Sequence, residues 1–135
     1  LADRFWAGKT AGAYAYRSLL DAGALVANGS DAPIEELDPL AGIRAGVLRT
    51  LDDREPWHPE QAVSVEEAFQ ATCVAPAWLT YDEHRRGKLV PGFAADLVVL
   101  DRDPFELPAE DLAEVTVVAT MAGGRWTHNP PPWDS

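Results

Sequence analysis

The sequence predicts an α/β chain: a helix-rich first part that holds one buried strand, then a mostly β last part, with the division near residue 85. Three observations carry this. The run Ala24-Leu25-Val26-Ala27 is short, apolar and bounded by Gly23 and Gly29, as a strand buried on both faces would be. Two segments further on place apolar residues at helical spacing behind strong start signals. After Gly87 the pattern changes to β-branched runs separated by Gly and Pro.

In chain order, Tyr14 to Asp21 reads as a short helix with Gly23 as its C-terminal cap. Ala24 to Asn28 reads as the buried strand. Asp38-Pro39 starts a second helix, with Asp as N-cap and Pro at the first helical position. Leu40, Ile43, Val47, Leu48 and Leu51 follow on one face. Asp52 to Val63 is polar, contains Pro56 and Pro59, and reads as a surface loop. Ser64-Val65-Glu66-Glu67 is a capping box, in which a Ser hydroxyl and a Glu three residues on satisfy each other's free amides. Its helix runs to about Val74, and Pro76 begins another turn carrying Trp78 and Leu79. Leu89-Val90-Pro91-Gly92 reads as a strand end and a tight turn. Ala95 to Leu100 is a strand, and Val115 to Met121, Gly123-Gly124 and Arg125 to His128 form a hairpin. The tail Asn129-Pro130-Pro131-Pro132 is low in complexity.

The chain has 135 residues and a formal net charge of -11. That charge argues against nucleic acid and anionic membranes as partners, because phosphate binding needs clustered Lys and Arg. No apolar stretch approaches the roughly 20 residues a membrane helix needs. The single cysteine, Cys73, excludes an intrachain disulfide and suits a reducing compartment. Leu1-Ala2-Asp3-Arg4 lacks the pattern of a secretory leader, so the expected location is cytoplasmic. Position 1 is not Met, and the chain is expected to be a piece of something longer.

Gly29-Ser30-Asp31-Ala32 puts a carboxylate where the buried strand runs out into a loop. Hydrolytic metal centres use such a group as an oxygen ligand or as the base that takes a proton from bound water. A solvated loop Asp, or an N-cap of the following helix, is the other reading. His58, His84 and His128 show no ligand spacing and read as exposed or structural. Cys73 shares an apolar helix face with Phe69 and reads as a core residue. Ser30 and Ser64 belong to no triad pattern. Arg44 and Arg49 follow on the next helix, where either could reach a substrate carboxylate or simply face solvent. Asp96 reads as structural, fixing the turn before a strand. Tyr14, Tyr16 and Trp6 could line a substrate mouth or pack, and Gly87 and Gly123-Gly124 are not phosphate loops.

Three blocks in order resemble the C-terminal portion of a metal-dependent amidohydrolase, of the family 3 branch that contains N-substituted formamide deformylases and D-aminoacylases. The first is Arg17-Ser18-Leu19-Leu20-Asp21-Ala22-Gly23, leading into Gly29-Ser30-Asp31-Ala32-Pro33 and Asp38-Pro39. The second is Ser64-Val65-Glu66-Glu67-Ala68 with Ala71-Thr72 and Ala75. The third runs from Gly87 to Asp101 and closes with Val117 to Gly124. Phe93 stands where the family usually has Lys, and Trp78-Leu79-Thr80 lacks a common Gly.

The resemblance implies that residues 1–85 are the last strand and helices of a (β/α)8 barrel, with Asp31 at the end of its eighth strand. Residues 86–135 would then be part of a small flanking β-sandwich. A complete barrel takes roughly 200–250 residues, so most of it lies outside this chain. Asp31 would be both metal ligand and catalytic base. The metal would be divalent, zinc, completed by donors from strands not in this sequence. The implied activity is hydrolysis of a C–N amide-type bond in a small molecule, with the chain inactive alone. The competing expectation is a non-catalytic folded module. Either way, missing neighbours leave open edges, so the partner is expected to be a second copy or the absent N-terminal barrel portion.

Overall fold

The computed structural model describes residues 2–130. Five α-helices come first: α1 (Ala2–Phe5), α2 (Tyr16–Asp21), α3 (Pro39–Leu48), α4 (Val65–Cys73) and α5 (Ala75–Leu79). Three strands follow: β1 (Leu97–Leu100), β2 (Val117–Ala122) and β3 (Arg125–His128). They form one antiparallel sheet in that order. Short 3-10 turns lie at Thr10–Gly12, Pro59–Gln61 and Ala109–Glu114.

The local start and stop signals act as their chemistry dictates. The Asp38 side chain accepts from Leu40 N at 2.9 Å, and Pro39 opens α3. Ser64 Oγ accepts from Glu67 N at 3.2 Å, while Glu67 Oε2 accepts from Ser64 N at 2.8 Å, which completes the capping box of α4. At the end of α2, Gly23 N donates to Leu20 O and Ala24 N to Leu19 O, a Schellman closure with Gly23 at φ +79°. Gly123 and Gly124, at φ +56° and +75°, make the two-residue turn between β2 and β3. Asp96 fixes that hairpin turn from outside, its Oδ1 accepting from Gly123 N at 2.7 Å.

Several expectations are corrected. Ala24 to Asn28 forms no strand. A buried parallel strand exists only by bonding to neighbours on both sides, and among the described residues none lies beside it. Leu25 is therefore 53% exposed. Leu89-Val90 is likewise not a strand, although the turn behind it forms, with Phe93 N donating to Val90 O at 3.1 Å. Tyr14 has φ +52° and falls outside α2. Leu51 lies beyond α3, which ends when Arg49 turns left-handed. The expected loop at 52–63 holds the Pro59–Gln61 turn. Cys73 is an exposed residue rather than a core one, although desolvation at its sulfur raises the thiol pKa. Pro131 and Pro132 of the proline tail lie outside the described residues.

The core sits where α3 packs on α4 and on the 109–114 turn, with α5 against α4. Its buried apolar residues are Ile43, Ala68, Ala75, Ala77, Leu112, Val115 and Ala119, mostly small. The rings of Phe69 and Phe105 pack against each other beside it at 5.0 Å. Gly87 closes the α4–α5 corner at φ +85°; a Cβ there would meet Cys73 O at 3.0 Å and Ala77 Cβ at 3.1 Å. Gly87→Ala is expected to cost about 1–2 kcal/mol from backbone strain alone, read by urea unfolding.

The accessible surface is 9568 Å². A compact monomer of 14.7 kDa exposes roughly 6900 Å². Large apolar side chains are part of what is exposed, among them Ile34, Leu37, Tyr81 and Leu89, each more than 70% exposed.

Candidate functional site

Asp31 lies in the loop after Asn28, at φ +56°. Asp is one of the few side chains that accept this left-handed conformation. Ser30 Oγ accepts from Ala32 N at 3.3 Å, and Asp31 O accepts from Ile34 N at 2.9 Å, so the carbonyl is used in a turn. The Asp31 carboxylate has no partner among the described residues and is exposed.

Asn28 anchors this loop to the helices. Its N–H donates to Ala71 O at 2.8 Å and its Nδ2 to Thr72 Oγ1 at 3.3 Å, both on α4. On the other side it presses on α3, where a Cβ on Gly42 would come within 2.8 Å of Asn28 Nδ2. The sequence reading did not single out Asn28 or Gly42.

Arg17 ties the first turn of α2 to the first turn of α4. Its Nη1 and Nη2 donate to Glu67 Oε2 and Oε1 at 2.6 and 2.8 Å, and its Nε to Asp21 at 2.9 Å. The hydrogen bonds from Arg17, then that from Ser64 N, hold the Glu67 carboxyl below the usual range. Ser18 and Gln61 exchange two further bonds, at 3.1 and 2.9 Å.

No group of three His, Cys, Asp or Glu side chains gathers among the described residues. His58 Nδ1 pairs with Glu60 at 2.7 Å, with its ring edge-on to Trp57, and lowers the Glu60 pKa. His84 is exposed in the loop after α5, where Asp82 is paired with Arg85. His128 Nε2 contacts Asn129. A hydrolytic zinc centre uses about three protein donors. The described residues offer Asp31 and no second donor beside it, so they do not by themselves fit a metal.

Arg49 does not face solvent freely. It stacks over Tyr16 at 5.3 Å and over Trp57 at 5.8 Å. Tyr14 meets Trp57 edge-on at 5.6 Å. The structure thus brings Arg49 together with the pair Tyr14 and Tyr16 through Trp57, which the sequence reading passed over. Trp6 is 60% exposed. Arg44 lies beside Leu40, Ile43 and Phe69, away from that aromatic group.

The class of protein to which this loop carboxylate, anchored Asn and capping-box helix belong comes from comparison with known proteins. The chain belongs to the Amidohydrolase family, whose description matches residues 1–128. It is similar to YtcJ of Bacillus subtilis, 34% identical over 126 residues, which is 91% of this chain and 24% of that protein. It is also similar to the N-substituted formamide deformylase of Arthrobacter pascens, 33% identical over 108 residues, 80% of this chain and 20% of that one. The chain thus spans about a quarter or less of these relatives. Among solved structures, an amidohydrolase from Thermotoga maritima shares the fold, with a TM-score of 0.66 at 22% identity, over 87% of this chain and 26% of that one. No helix among the described residues is long and apolar enough to cross a membrane.

Proposed function

We infer that this chain is the C-terminal portion of an amidohydrolase that cleaves a C–N amide-type bond in small molecules, and that Asp31 is its contribution to the reacting centre. The observation that carries the reading is the Asp31 carboxylate itself, exposed and unpaired among the described residues, on a loop held by Asn28, in a chain of this family. One relative is named for deformylating N-substituted formamides, which supports an N-acyl amine as substrate. Residues 1–85 serve as the closing part of a (β/α)8 barrel, with 24–28, which forms no strand without sheet neighbours, in the place of its eighth strand, and 86–135 as part of a flanking β-sandwich. A divalent metal, zinc in this reading, requires donors from the rest of a family-length protein; when bound it supplies an acidified water. Asp31 would be this chain's donor to that metal and the general base of the reaction.

The exposed apolar surface supports a covering partner, either the N-terminal barrel portion or a second copy. The isolated 135-residue chain is therefore expected to sediment as a dimer or larger, to bind no stoichiometric zinc, and to leave N-formyl amines intact. A family-length form should hydrolyse them. Zinc-dependent hydrolysis by the short chain, or a monodisperse monomer at micromolar concentration, would contradict this reading.

A further inference from the structure

We propose that the groove between Tyr14, Trp57 and Arg49 binds a small molecule that carries one carboxylate beside a planar ring. The groove is open to solvent, holds about 410 Å³ and is completed by Asp3, Thr50, Arg54 and Glu55. That is within the range of small-molecule sites.

Arg49 is the anchor. Its Nε donates to Trp57 O at 3.1 Å, and Trp57 N donates back to Arg49 O at 3.0 Å. With the stacking on Tyr16 and Trp57, this fixes the guanidinium plane. Its two Nη groups have no acceptor among the described residues. A half-buried guanidinium, held by Nε and offering both Nη groups, presents the two-pronged edge that a carboxylate matches. The edge-on pair of Tyr14 and Trp57, their planes 82° apart, supplies an aromatic corner beside it, either face of which can take a ring.

The other charges set the class of ligand. Arg54 is taken by Asp52, at 2.7 to 2.9 Å, so among the described residues Arg49 is the groove cation without a carboxylate hydrogen-bonded to it, although its charge also acts on Glu60. Asp3 accepts from Trp57 Nε1 at 2.9 Å, and Glu55 is exposed on the rim. With Asp3 and Glu55 beside it the groove repels polyanions such as nucleotides, and a singly charged ligand has only the Arg49 edge to meet. The inference does not rest on the hydrolase reading.

The test is fluorine NMR of the full-length protein labelled with 5-fluorotryptophan, its Trp57 signal identified with Trp57→Phe. Phenylacetate is expected to move that signal saturably, and phenylacetamide, with the same ring and no charge, to bind about tenfold more weakly. Arg49→Gln should lose phenylacetate by about tenfold or more. Because that change also removes the bond to Trp57 O, Tyr14→Asn is the companion variant. It leaves that bond in place and should weaken phenylacetate while sparing acetate. Equal binding of acid and amide, an unmoved Trp57 signal, or unchanged phenylacetate affinity in Arg49→Gln overturns the proposal.

Discussion

Asp31→Asn in a family-length form is expected to lower kcat by about 10³-fold while leaving the fold intact. The loss follows from chemistry: an amide cannot take a proton from water at neutral pH and is a poor metal ligand. The intact fold follows from conformation. Asn accepts the left-handed region as readily as Asp, so φ +56° is retained. The carboxylate also has no partner among the described residues to lose. Steady-state kinetics on an N-formyl amine, with thermal unfolding and metal content measured beside it, separates the two effects. Activity within a few-fold of the parent would remove Asp31 from the centre.

Glu67→Ala is expected to cost about 2–3 kcal/mol of stability. One side chain does two tasks. It accepts both prongs of Arg17 across fifty positions of sequence, and it closes the capping box on Ser64 N. The side chains of Arg17 and Glu67 are 30% and 29% exposed, so solvent screens the pair and the figure is kept below that of a dry ion pair. Glu67→Gln keeps an acceptor for Ser64 N and should cost roughly half as much. The pH dependence has a definite sign. Folding lowers the Glu67 pKa from 4.5, so its contribution is complete above that value and fades as pH falls through the lower folded value. Urea midpoints of parent and Glu67→Gln should therefore converge on acidification below about pH 4. A constant gap down to pH 2 would mean the charge is not what stabilises this junction.

What the sequence made legible is what neighbouring residues decide among themselves. The Asp38-Pro39 start, the Ser64 to Glu67 box, the Gly23 closure and the Gly123-Gly124 turn all appear where their local chemistry puts them. Ala24 to Asn28 and Leu89-Val90 failed as strands for the complementary reason: a strand is a relation to another strand, and composition does not supply one. Of the candidate site, Asp31 could be proposed from sequence because its tetrapeptide is contiguous. The Asn28 anchor was not, since Ala71, Thr72 and Gly42 lie far off in the chain. The Arg49 groove was half visible. Its residues had been noticed one at a time, but Trp57 sits in a stretch whose prolines and charges read as plain loop.

Asn28 has a consequence for how such a protein diverges. Through it, the carboxylate three positions on is indexed to α3 and α4 rather than to a ladder of strands. Residues 28–73 thus behave as a cartridge that carries its own acid. Sheet neighbours can drift, or be recruited from another chain, without resetting where that acid stands relative to its helices. A protein that keeps Asn28, Gly42 and Thr72 together can vary its other segments while the Asp31 loop stays in place against these helices.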